Sequence, residues 1–324
     1  MMTKEQVVDL INSYIHNIEL DREPKNLYAP IEYVLSIGGK RVRPQLMLLA
    51  YQMYKENFNE VLPAAAAIEI YHNFTLLHDD LMDNSDVRRN KPTVHKVWDD
   101  NTAILSGDAM LILGYHLLAK TPSEYLRRVL DVYNTVTLEI CDGQQYDIEF
   151  ETRTDVKAEE YLNMIALKTA VLLANSMKIG AIIGGASDKD IDLIYQFGLN
   201  IGLAFQLQDD YLDVYGDPKV FGKATGDDIL CNKKTYMLIQ ALNLSEGKVK
   251  EELLHWIGSK EFNAEEKINA VIDIYNQVGI DKVCKAKMQE FYNKAIESLD
   301  AVSVDSSKKI VLKALASDLM QREI

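Results

Sequence analysis

Two short acidic segments carry aspartates at the same spacing. The first is His78–Asp83 (HDDLMD), and the second, more than a hundred residues further on, is Gln208–Asp213 (QDDYLD). In both, the first and last aspartates are four residues apart and therefore share one face of a helix. Carboxylates grouped in this way repel one another, and their hard oxygen atoms are the ligands that Mg²⁺ prefers. The spacing therefore predicts magnesium binding at two helix segments.

The main alternative is that each segment is simply a solvated acidic face. Mainly apolar stretches lead directly into both, Phe74–Leu77 into the first and Leu203–Leu207 into the second. A solvated face does not need such stretches, so we expect two helices that face each other across a pocket. An EF-hand does not fit, because its loop needs acidic ligands at alternating positions and a central glycine. The candidate carboxylates are Asp79, Asp80, Asp83, Asp209, Asp210 and Asp213.

A glycine-rich basic loop, Gly38–Pro44 (GGKRVRP), precedes a predicted helix. Glycine lets the backbone approach a ligand closely, and Arg43 can form paired bonds to phosphate oxygens. Lys40 adds a second cation for an anion. The loop is not a P-loop, because the GxxxxGK[ST] spacing is absent. An ordinary surface loop is the alternative.

Two arginines and a histidine lie near the first acidic segment in the sequence. Arg88 and Arg89 follow it closely, where charge balance for nearby aspartates is the alternative explanation. His72 lies seven residues before Asp79, which is about two helical turns and the same face. These residues are candidates to line the pocket with the aspartates, although a lone histidine is more often a satisfied polar residue.

Three lysines accompany the second half of the pattern. Lys168, followed by Thr169, interrupts an apolar helical stretch, so its ammonium either snorkels to the surface or enters a site. Lys223 and Lys233 flank the glycine-containing loop 216–234, where solvated lysines are common. Carboxylates, Mg²⁺ and several cations around one or two diphosphates fit the ionisation of a diphosphate leaving group.

The rest of the chain reads as helix. Apolar residues recur at intervals of three and four over 59–83, 102–119, 124–150, 157–182 and 189–214. The tail from Glu265 onward predicts three further helices, with breaks near Gly279 and 303–306. No alternating strand pattern and no linker is evident. We therefore predict an all-α protein with a single domain over residues 1–324.

Charge and composition exclude several classes of protein. The formal net charge of −14 argues against nucleic acid as a partner. Cys141, Cys231 and Cys284 form neither a disulfide framework nor a zinc pattern, which favours a reducing, cytoplasmic compartment. The first residues lack the order of a signal peptide. Apolar runs such as Ala109–Leu113 are too short for a transmembrane segment.

Several motifs occur in a fixed order: GGKRVRP, IEIYHNFTLLHDDLMDNSDVRRNKPTVH, ILSGDAML, GQQYD, LKTA, GLAFQLQDDYLDVYGD, FGK and KKT. From about residue 28 to 240 the chain resembles the trans-isoprenyl diphosphate synthases, or polyprenyl synthetases, which include farnesyl and geranylgeranyl diphosphate synthases. The resemblance implies a helical bundle around a deep central cavity, usually a homodimer. It also implies a prenyltransferase that uses Mg²⁺ to ionise an allylic diphosphate. Isopentenyl diphosphate then attacks the carbocation, and a proton is lost.

The resemblance also assigns roles to individual residues. It implies that isopentenyl diphosphate is bound by Lys40, Arg43, His72 and Arg89. It implies that the allylic diphosphate is held by Arg88, Lys168, Lys223 and Lys233. It implies that the polar groups near the reacting carbons are those of Thr169 and Gln206. It implies that the magnesium ligands are Asp79, Asp80, Asp83 and Asp209, with Asp213 nearby. The acidic position of the family's GxD element is matched by Asp228, beside Asp227.

The chain departs from the family pattern in three places. Asn90 stands where a glycine is usual, and Ala224 stands where a proline is usual. The terminus Gln321–Ile324 is less basic than the tail with which some members close the site. Neither substitution removes a charge, so we expect activity, but a closing role for the tail is doubtful.

The length of the product should depend on residues one to two turns before the first aspartates. Phe74 and Thr75 lie there, and a bulky ring can form a floor that stops elongation. We expect short-chain products of about fifteen to twenty carbons, and favour the longer. The alternative is that Phe74 is simply a core residue.

Two other functions remain in competition. A class I terpene cyclase also ionises a prenyl diphosphate, but it should lack the basic loop, and its second metal site usually has Asn, Ser and Glu. A catalytically silent partner subunit would typically lose aspartates or the arginine pair, which this chain keeps.

Overall fold

The computed structural model describes residues 2–216 and 225–320, which are almost entirely helical and confirm the all-α prediction. The helices before the second acidic segment are α1 (Lys4–His16), α2 (Lys25–Ser36), α3 (Val42–Tyr51), α4 (Leu62–Met82), α5 (Val94–Val97), α6 (Asp100–Leu118), α7 (Ser123–Thr152), α8 (Ala158–Ile165) and α9 (Val171–Gly184). The others are α10 (Asp188–Tyr215), α11 (Asp227–Leu230), α12 (Tyr236–Leu244), α13 (Gly247–Gly258), α14 (Ala264–Val278), α15 (Ile280–Ala301) and α16 (Ile310–Met320). Short 3₁₀ turns cover Phe58–Glu60 and Ser306–Lys309.

The sequence periodicity located the long helices, and the predicted breaks in the tail are confirmed. α14 ends at Val278 because Gly279 adopts a left-handed conformation, with φ of 78°, that glycine reaches without strain. One element was missed. An antiparallel hairpin joins β1 (Val87–Arg88) to β2 (Lys91–Pro92). Strands of two residues are too short to produce an alternating pattern.

The chain divides into two compact units. The first comprises Met1–Asn134, Asn175–Ile194 and Val302–Leu312. The second comprises Thr135–Ala174, Tyr195–Ala301 and Lys313–Ile324. A single domain over residues 1–324 therefore stays a prediction.

Helix α4 is the buried axis of the first unit, and it ends in the first acidic segment. Pro63 occupies its first turn, where the missing N–H costs nothing. The small side chains of Ala64–Ala67 are all buried, which lets α6 pack closely. A Cβ on Gly114 of α6 would lie 3.5 Å from the Ala67 carbonyl oxygen. This close packing fixes the position of the aspartates at the end of α4.

Helix α10 has the corresponding role in the second unit, where it packs into the core and carries the second acidic segment. Leu203, Leu207 and Tyr211 recur every four residues, share one face, and are buried in a core with residues of α12, α14 and α15. The second acidic segment lies on this helix, so its backbone is fixed by the core beneath it. The apolar stretch before the aspartates is therefore the core-facing side of α10, as the sequence indicated.

A single wide helical turn, Ala166–Ala170, separates α8 from α9. Such π turns often occur at functional sites, because they displace side chains from the regular helical register. This one carries Lys168 and Thr169, both predicted to lie in the site. Gly143 of α7 has no side chain where the backbone of Lys168 approaches it, so α7 packs directly against the wide turn.

One stretch, Ala158–Gly184, is long and apolar enough to cross a membrane by length and composition alone. Within its most apolar window, however, 72% of the residues are buried inside the protein. A core helix passes the same test, so this helix is weak evidence for a membrane span.

Candidate active site

The three aspartates at the end of α4 have different surroundings. Asp80 is buried, and both of its carboxylate oxygens lie 2.8 Å from Nε of Arg88. Nη2 of Arg88 is 2.7 Å from Asp80 Oδ1, which completes a side-on ion pair. Asp83 caps the helix, with its N–H donating to the Asp79 carbonyl at 2.8 Å, and its side chain is exposed. Asp79 and Asp83 thus lie one turn apart at the end of α4, and Asp80 between them is paired with the cation of Arg88.

The hairpin after α4 carries the arginine pair at a strained turn. Arg89 and Asn90 have φ of 51° and 61°, as a two-residue hairpin turn requires. Asparagine tolerates this conformation better than other residues with a Cβ, which explains how it replaces the glycine usual in the family. Nη1 of Arg89 donates to the Gly38 carbonyl. A Cβ on Gly39 would lie 2.7 Å from the same nitrogen, so this position needs glycine.

One cation of the basic loop has a purely structural partner. Arg41, itself in a left-handed conformation with φ of 49°, is buried, and its Nη1 lies 2.7 Å from Oε1 of the buried Glu69. It also donates to the Leu35 carbonyl at 2.9 Å and to Asn12 at 3.1 Å. Arg41 therefore ties the loop to α1, α2 and α4, and leaves Lys40 and Arg43 as its candidates for an anion.

His72 supports the predicted anion site as a neutral ring. Nη1 of Arg43 lies 3.0 Å from His72 Nε2. A guanidinium can only donate, so Nε2 accepts and the ring proton sits on Nδ1. Burial, and then the positive charges of Arg43 and Arg89, hold the pKa of His72 well below its usual range. The structure thus brings Arg43, His72 and Arg89 together beside the glycine loop, and this local concentration of positive charge favours an anion.

In the second unit, Asp210 anchors a hydrogen-bond network. It is buried, and it accepts from the Tyr161 hydroxyl and from Nε2 of Gln206 at 3.1 Å. The Thr169 hydroxyl donates to Oε1 of Gln206 at 3.2 Å, so the amide orientation of Gln206 is fixed from both sides. Burial, against the opposing charge of Lys233, raises the pKa of Asp210 to about 7. Thr169 and Gln206, predicted from separate motifs, are therefore neighbours.

Asp213 holds the segment that carries the second lysine. Its carbonyl accepts from the Gly226 N–H at 2.6 Å, and its Oδ2 accepts from the Asp228 N–H at 3.0 Å. Burial and the neighbouring Asp228 carboxylate raise the pKa of Asp213 to about 6. Nζ of Lys233 lies 3.3 Å from Asp228 Oδ1. Burial opposes the charge of Lys233, but the carboxylates of Asp210 and Asp228 outweigh it and raise the pKa of this lysine.

Lys168 pairs with a carboxylate of α7. Its Nζ lies 2.5 Å from Oδ2 of Asp147, and the two side chains are 29% and 25% exposed. Asp147 is the last residue of the GQQYD motif, and the sequence alone does not mark it as a site residue. Tyr161 was missed as well. A carboxylate that closes a motif was the available signal for Asp147, whereas nothing local marks Tyr161, whose partner is 49 residues away.

Comparisons with known proteins agree with this arrangement. The model of the polyprenyl synthetase family matches residues 24–275. A geranylgeranyl diphosphate synthase of Methanosarcina mazei is 38% identical over 302 residues, which cover 93% of this chain and 91% of the relative. A short chain isoprenyl diphosphate synthase of Methanothermobacter thermautotrophicus is 35% identical over 326 residues, covering 98% of this chain and 99% of the relative. A crystal structure of geranylgeranyl pyrophosphate synthase superposes over 100% of both chains with a TM-score of 0.94 and 41% identity.

The chain belongs to the polyprenyl synthetase family. It is therefore a prenyltransferase, and the resemblance drawn from the ordered motifs is confirmed. Two predicted features lie outside the described residues: Lys223, with the neighbouring Ala224, and the terminal Gln321–Ile324.

The carboxylates of this prenyl synthase suit Mg²⁺. Within residues 2–216 and 225–320, no group of three or more His, Cys, Asp or Glu side chains is arranged to hold a metal ion by itself. Mg²⁺ does not need one, because it keeps several waters and usually takes one or two carboxylates together with substrate phosphates. Asp79 and Asp83 on α4 offer such oxygens, as do Asp209 and Asp213 on α10. Each pair of carboxylates therefore fits a metal ion that is shared with a diphosphate.

Phe74 lies in a row of rings on α4. Its ring centroid is 5.5 Å from that of Tyr71 and 4.7 Å from that of His78. Nε2 of His78 lies 3.2 Å from the Ile104 carbonyl, which ties this row to α6. The Thr75 hydroxyl donates back to the His72 carbonyl at 2.8 Å. The half-buried ring of Phe74 is thus held firmly enough to act as a steric stop.

Proposed function

We propose that this prenyl synthase joins isopentenyl diphosphate to an allylic diphosphate, head to tail, and releases geranylgeranyl diphosphate. The main support is the cluster of Arg43, His72 and Arg89, in which His72 lies about two turns of α4 before Asp79 and about three turns before Asp83. Cyclisation of a prenyl chain needs a place for one diphosphate, whereas condensation needs places for two. The relatives named as geranylgeranyl and short chain synthases point the same way.

In this reaction the first unit binds isopentenyl diphosphate. The guanidinium groups of Arg43 and Arg89 bind its non-bridging oxygens, and Lys40 adds charge from the same loop. His72 orients Arg43 by accepting its hydrogen bond, and remains neutral because its pKa is low. Arg88 acts on the allylic diphosphate only indirectly, because its guanidinium is bound to Asp80. This ion pair, in which Asp80 is buried and Arg88 is half-buried, holds the hairpin, and so Arg89, in place.

The allylic diphosphate is bound by lysines that already have carboxylate neighbours. Lys168 beside Asp147 and Lys233 beside Asp228 stay charged and fixed in position. The fixed dipoles of Thr169 and Gln206 face the developing carbocation. When bound by Asp79, Asp83, Asp209 and Asp213, Mg²⁺ supplies positive charge that stabilises the departing diphosphate. That both acidic segments serve one diphosphate in a central cavity stays a prediction, as do the roles of Asp80 and Lys223.

We also propose a homodimer in the cytoplasm, without a membrane span or a nucleic-acid partner. Helix α6 leaves Leu105 and Ile112 exposed at 59% and 68%, and these residues are seven apart on one face. Such large exposed apolar side chains favour burial against a second copy. Sedimentation of the purified protein tests the dimer, and a monomer at micromolar concentration would contradict it.

The reaction is tested with labelled isopentenyl diphosphate, Mg²⁺ and each allylic primer in turn, followed by chromatography of the dephosphorylated products. We expect label in a chain as long as geranylgeraniol, and none when EDTA replaces Mg²⁺. Cyclised hydrocarbon without incorporated label would support a terpene cyclase instead. Absence of incorporation with every primer would overturn the proposal and favour a silent partner subunit.

A further inference from the structure

Lys267 in the first turn of α14 is a fully buried cation, with an exposed fraction of 0%. Its Nζ donates to the Leu230 carbonyl at 3.2 Å and to Oδ1 of Asn232 at 2.9 Å, and lies 4.2 Å from the centroid of the Phe262 ring. None of these partners is a carboxylate. Burial lowers its pKa accordingly. Burying an ammonium group among neutral partners costs free energy. The presence of a lysine at this position therefore needs an explanation.

Helix α14 gains nothing from this lysine. A positive charge in the first turn of a helix opposes the helix dipole. The N-cap of α14 is already supplied by Asn263, whose side chain accepts from the Glu266 N–H at 3.1 Å. Both hydrogen bonds of the Lys267 side chain go instead to α11 and to the turn that follows it.

Helix α11 needs outside support, because four residues are far too few to form a stable helix alone. At its start, Gly226 has φ of 94°, and a Cβ there would lie 2.7 Å from Cδ1 of Ile268. At its end, Lys267 supplies a donor to the Leu230 carbonyl, which belongs to the last residue of the helix. Two adjacent residues of α14 therefore hold both ends of α11.

The turn after α11 is held by the same lysine. Asn232 adopts φ of 53°, a conformation uncommon for a residue with a Cβ. Its Oδ1 accepts from Lys267, and its Nδ2 donates to the Ile257 carbonyl at 3.2 Å. The next residue is Lys233, whose N–H donates to the Asp228 carbonyl at 3.0 Å. The contacts of Lys267 thus fix the backbone between the two site residues Asp228 and Lys233.

We propose that Lys267 is a positioning residue for the allylic diphosphate, acting through α11 and Asn232 to fix the ammonium of Lys233. The assignment rests on the proposed condensation for its substrate. It gives Lys267 no contact with substrate or metal. Loss of its Nζ frees the turn that carries Lys233, whereas the first-unit residues that bind isopentenyl diphosphate keep their own contacts.

The test compares Lys267→Met with the wild type in steady-state kinetics. Methionine keeps an apolar side chain of similar length and removes the donors. We expect the KM for the allylic diphosphate to rise about 10- to 100-fold, as for other groups that orient a ligand-binding residue, while the KM for isopentenyl diphosphate stays unchanged. A merely structural role would lower the active fraction, and so kcat, without moving either KM. Unchanged KM values, or equal rises in both, would overturn the proposal.

A matched control is available in Lys309, another buried lysine, whose Nζ donates to the Val302 carbonyl at 2.6 Å. Lys309→Met should lower the melting temperature without moving the KM for either substrate. A rise in the allylic KM in this control as well would count against a specific role for Lys267. If Lys267→Met does not fold, Asn232→Gly decides by the same KM comparison, because glycine keeps the left-handed turn and removes the acceptor.

Hydrogen exchange separates this proposal from the proposed reaction. In Lys267→Met, peptides covering residues 225–235 should exchange faster than in the wild type, and peptides of α10 before Asp209 should not. This result requires no turnover. A wild type that is inactive with every primer, combined with faster exchange in the variant, would overturn the condensation but keep the role of Lys267 in holding the turn. Equal exchange would overturn that role.

Discussion

The aspartates of the first acidic segment look equivalent in the sequence, yet their side chains have different tasks. Asp80 forms a side-on ion pair with Arg88. Because Asp80 is buried, its charge would be costly without this partner. Asp79 and Asp83 are one turn apart at the end of α4, where Asp79 is half-buried and Asp83 is exposed. We therefore predict that the first and last positions of the motif bind the metal ion, whereas the middle aspartate is already paired with Arg88 of the hairpin.

Two substitutions separate these roles. Asp79→Ala should reduce turnover by about a thousandfold or more, corresponding to about 4 kcal/mol of barrier, with little change in stability. Asp80→Asn should instead lower the free energy of unfolding by about 1–3 kcal/mol, because it breaks a buried charge-assisted pair. Urea unfolding followed by kinetics on both variants checks this. Near-normal turnover in Asp79→Ala would contradict its assignment as a ligand.

Phe74 has two possible roles: its ring forms the floor of the product cavity, or it is an ordinary core residue. Phe74→Ala removes a ring that packs between Tyr71 and His78, and should deepen the product cavity by roughly the volume of that side chain. We expect products longer than those of the wild type. Leu76, two residues further along α4 and therefore on its opposite side, is the control, and Leu76→Ala should leave the product length unchanged. An unchanged product from Phe74→Ala would refute the floor.

At the scale of elements, the hairpin of β1 and β2 shows how local geometry places a functional side chain. Its two-residue turn requires positive φ at Arg89 and Asn90, and the turn is fastened by the Thr93 hydroxyl, which donates to the Ser85 carbonyl at 2.7 Å. Arg89 is thereby held against the glycine loop. The departure from the family's usual glycine is tolerated because asparagine accepts a left-handed backbone.

The turn predicts opposite effects for two substitutions of Asn90. Asn90→Gly should keep the stability and the KM for isopentenyl diphosphate near wild-type values, since glycine adopts positive φ freely. Asn90→Val should cost about 1–3 kcal/mol of strain and raise that KM, because Arg89 loses its position. Urea unfolding and initial rates measure both effects. A valine variant with unchanged KM would show that the turn does not position Arg89.

At the scale of the whole molecule, residues far apart in sequence meet at buried Asp190 in the first unit. Its carboxylate accepts from the Ser303 N–H at 2.8 Å, from the Ser303 hydroxyl at 2.6 Å and from the Tyr54 hydroxyl at 3.3 Å. These partners are 113 and 136 residues away. Burial alone would raise the pKa of Asp190, but the hydrogen bonds outweigh it and hold the pKa below its usual range.

This network predicts a pH-dependent contribution to stability. Because the folded pKa of Asp190 is lower than its unfolded value of about 3.9, its contribution is fully present above that value and is lost as the pH falls through the folded pKa. Asp190→Asn should lower the free energy of unfolding by about 1–3 kcal/mol at pH 7, and the difference should shrink as the pH falls below about 4. Urea unfolding at several pH values measures it, with Asp192→Asn on the exposed side of α10 as the control. A difference independent of pH would contradict the assignment.

The amino-acid sequence by itself determined the helical class, the breaks at Gly279 and near 303–306, the two acidic segments and the family. These features depend on spacing within one helix or one loop, so neighbouring residues specify them. The sequence also marked Arg43, His72 and Arg89 as site residues, partly through the family resemblance. Their proximity in space depends on how α3, α4 and the hairpin pack, which local spacing does not specify.

Only the tertiary structure decided which of the charged side chains have structural partners. Arg41 binds Glu69, Asp80 binds Arg88, and Lys267 is buried beneath α11. Nothing in the sequence marks any of these side chains as a structural charge, and Asp80 falls within the predicted magnesium motif. The partner of a charge depends on which helix packs beside it and how much water remains there, and neither quantity is encoded in the spacing of nearby residues.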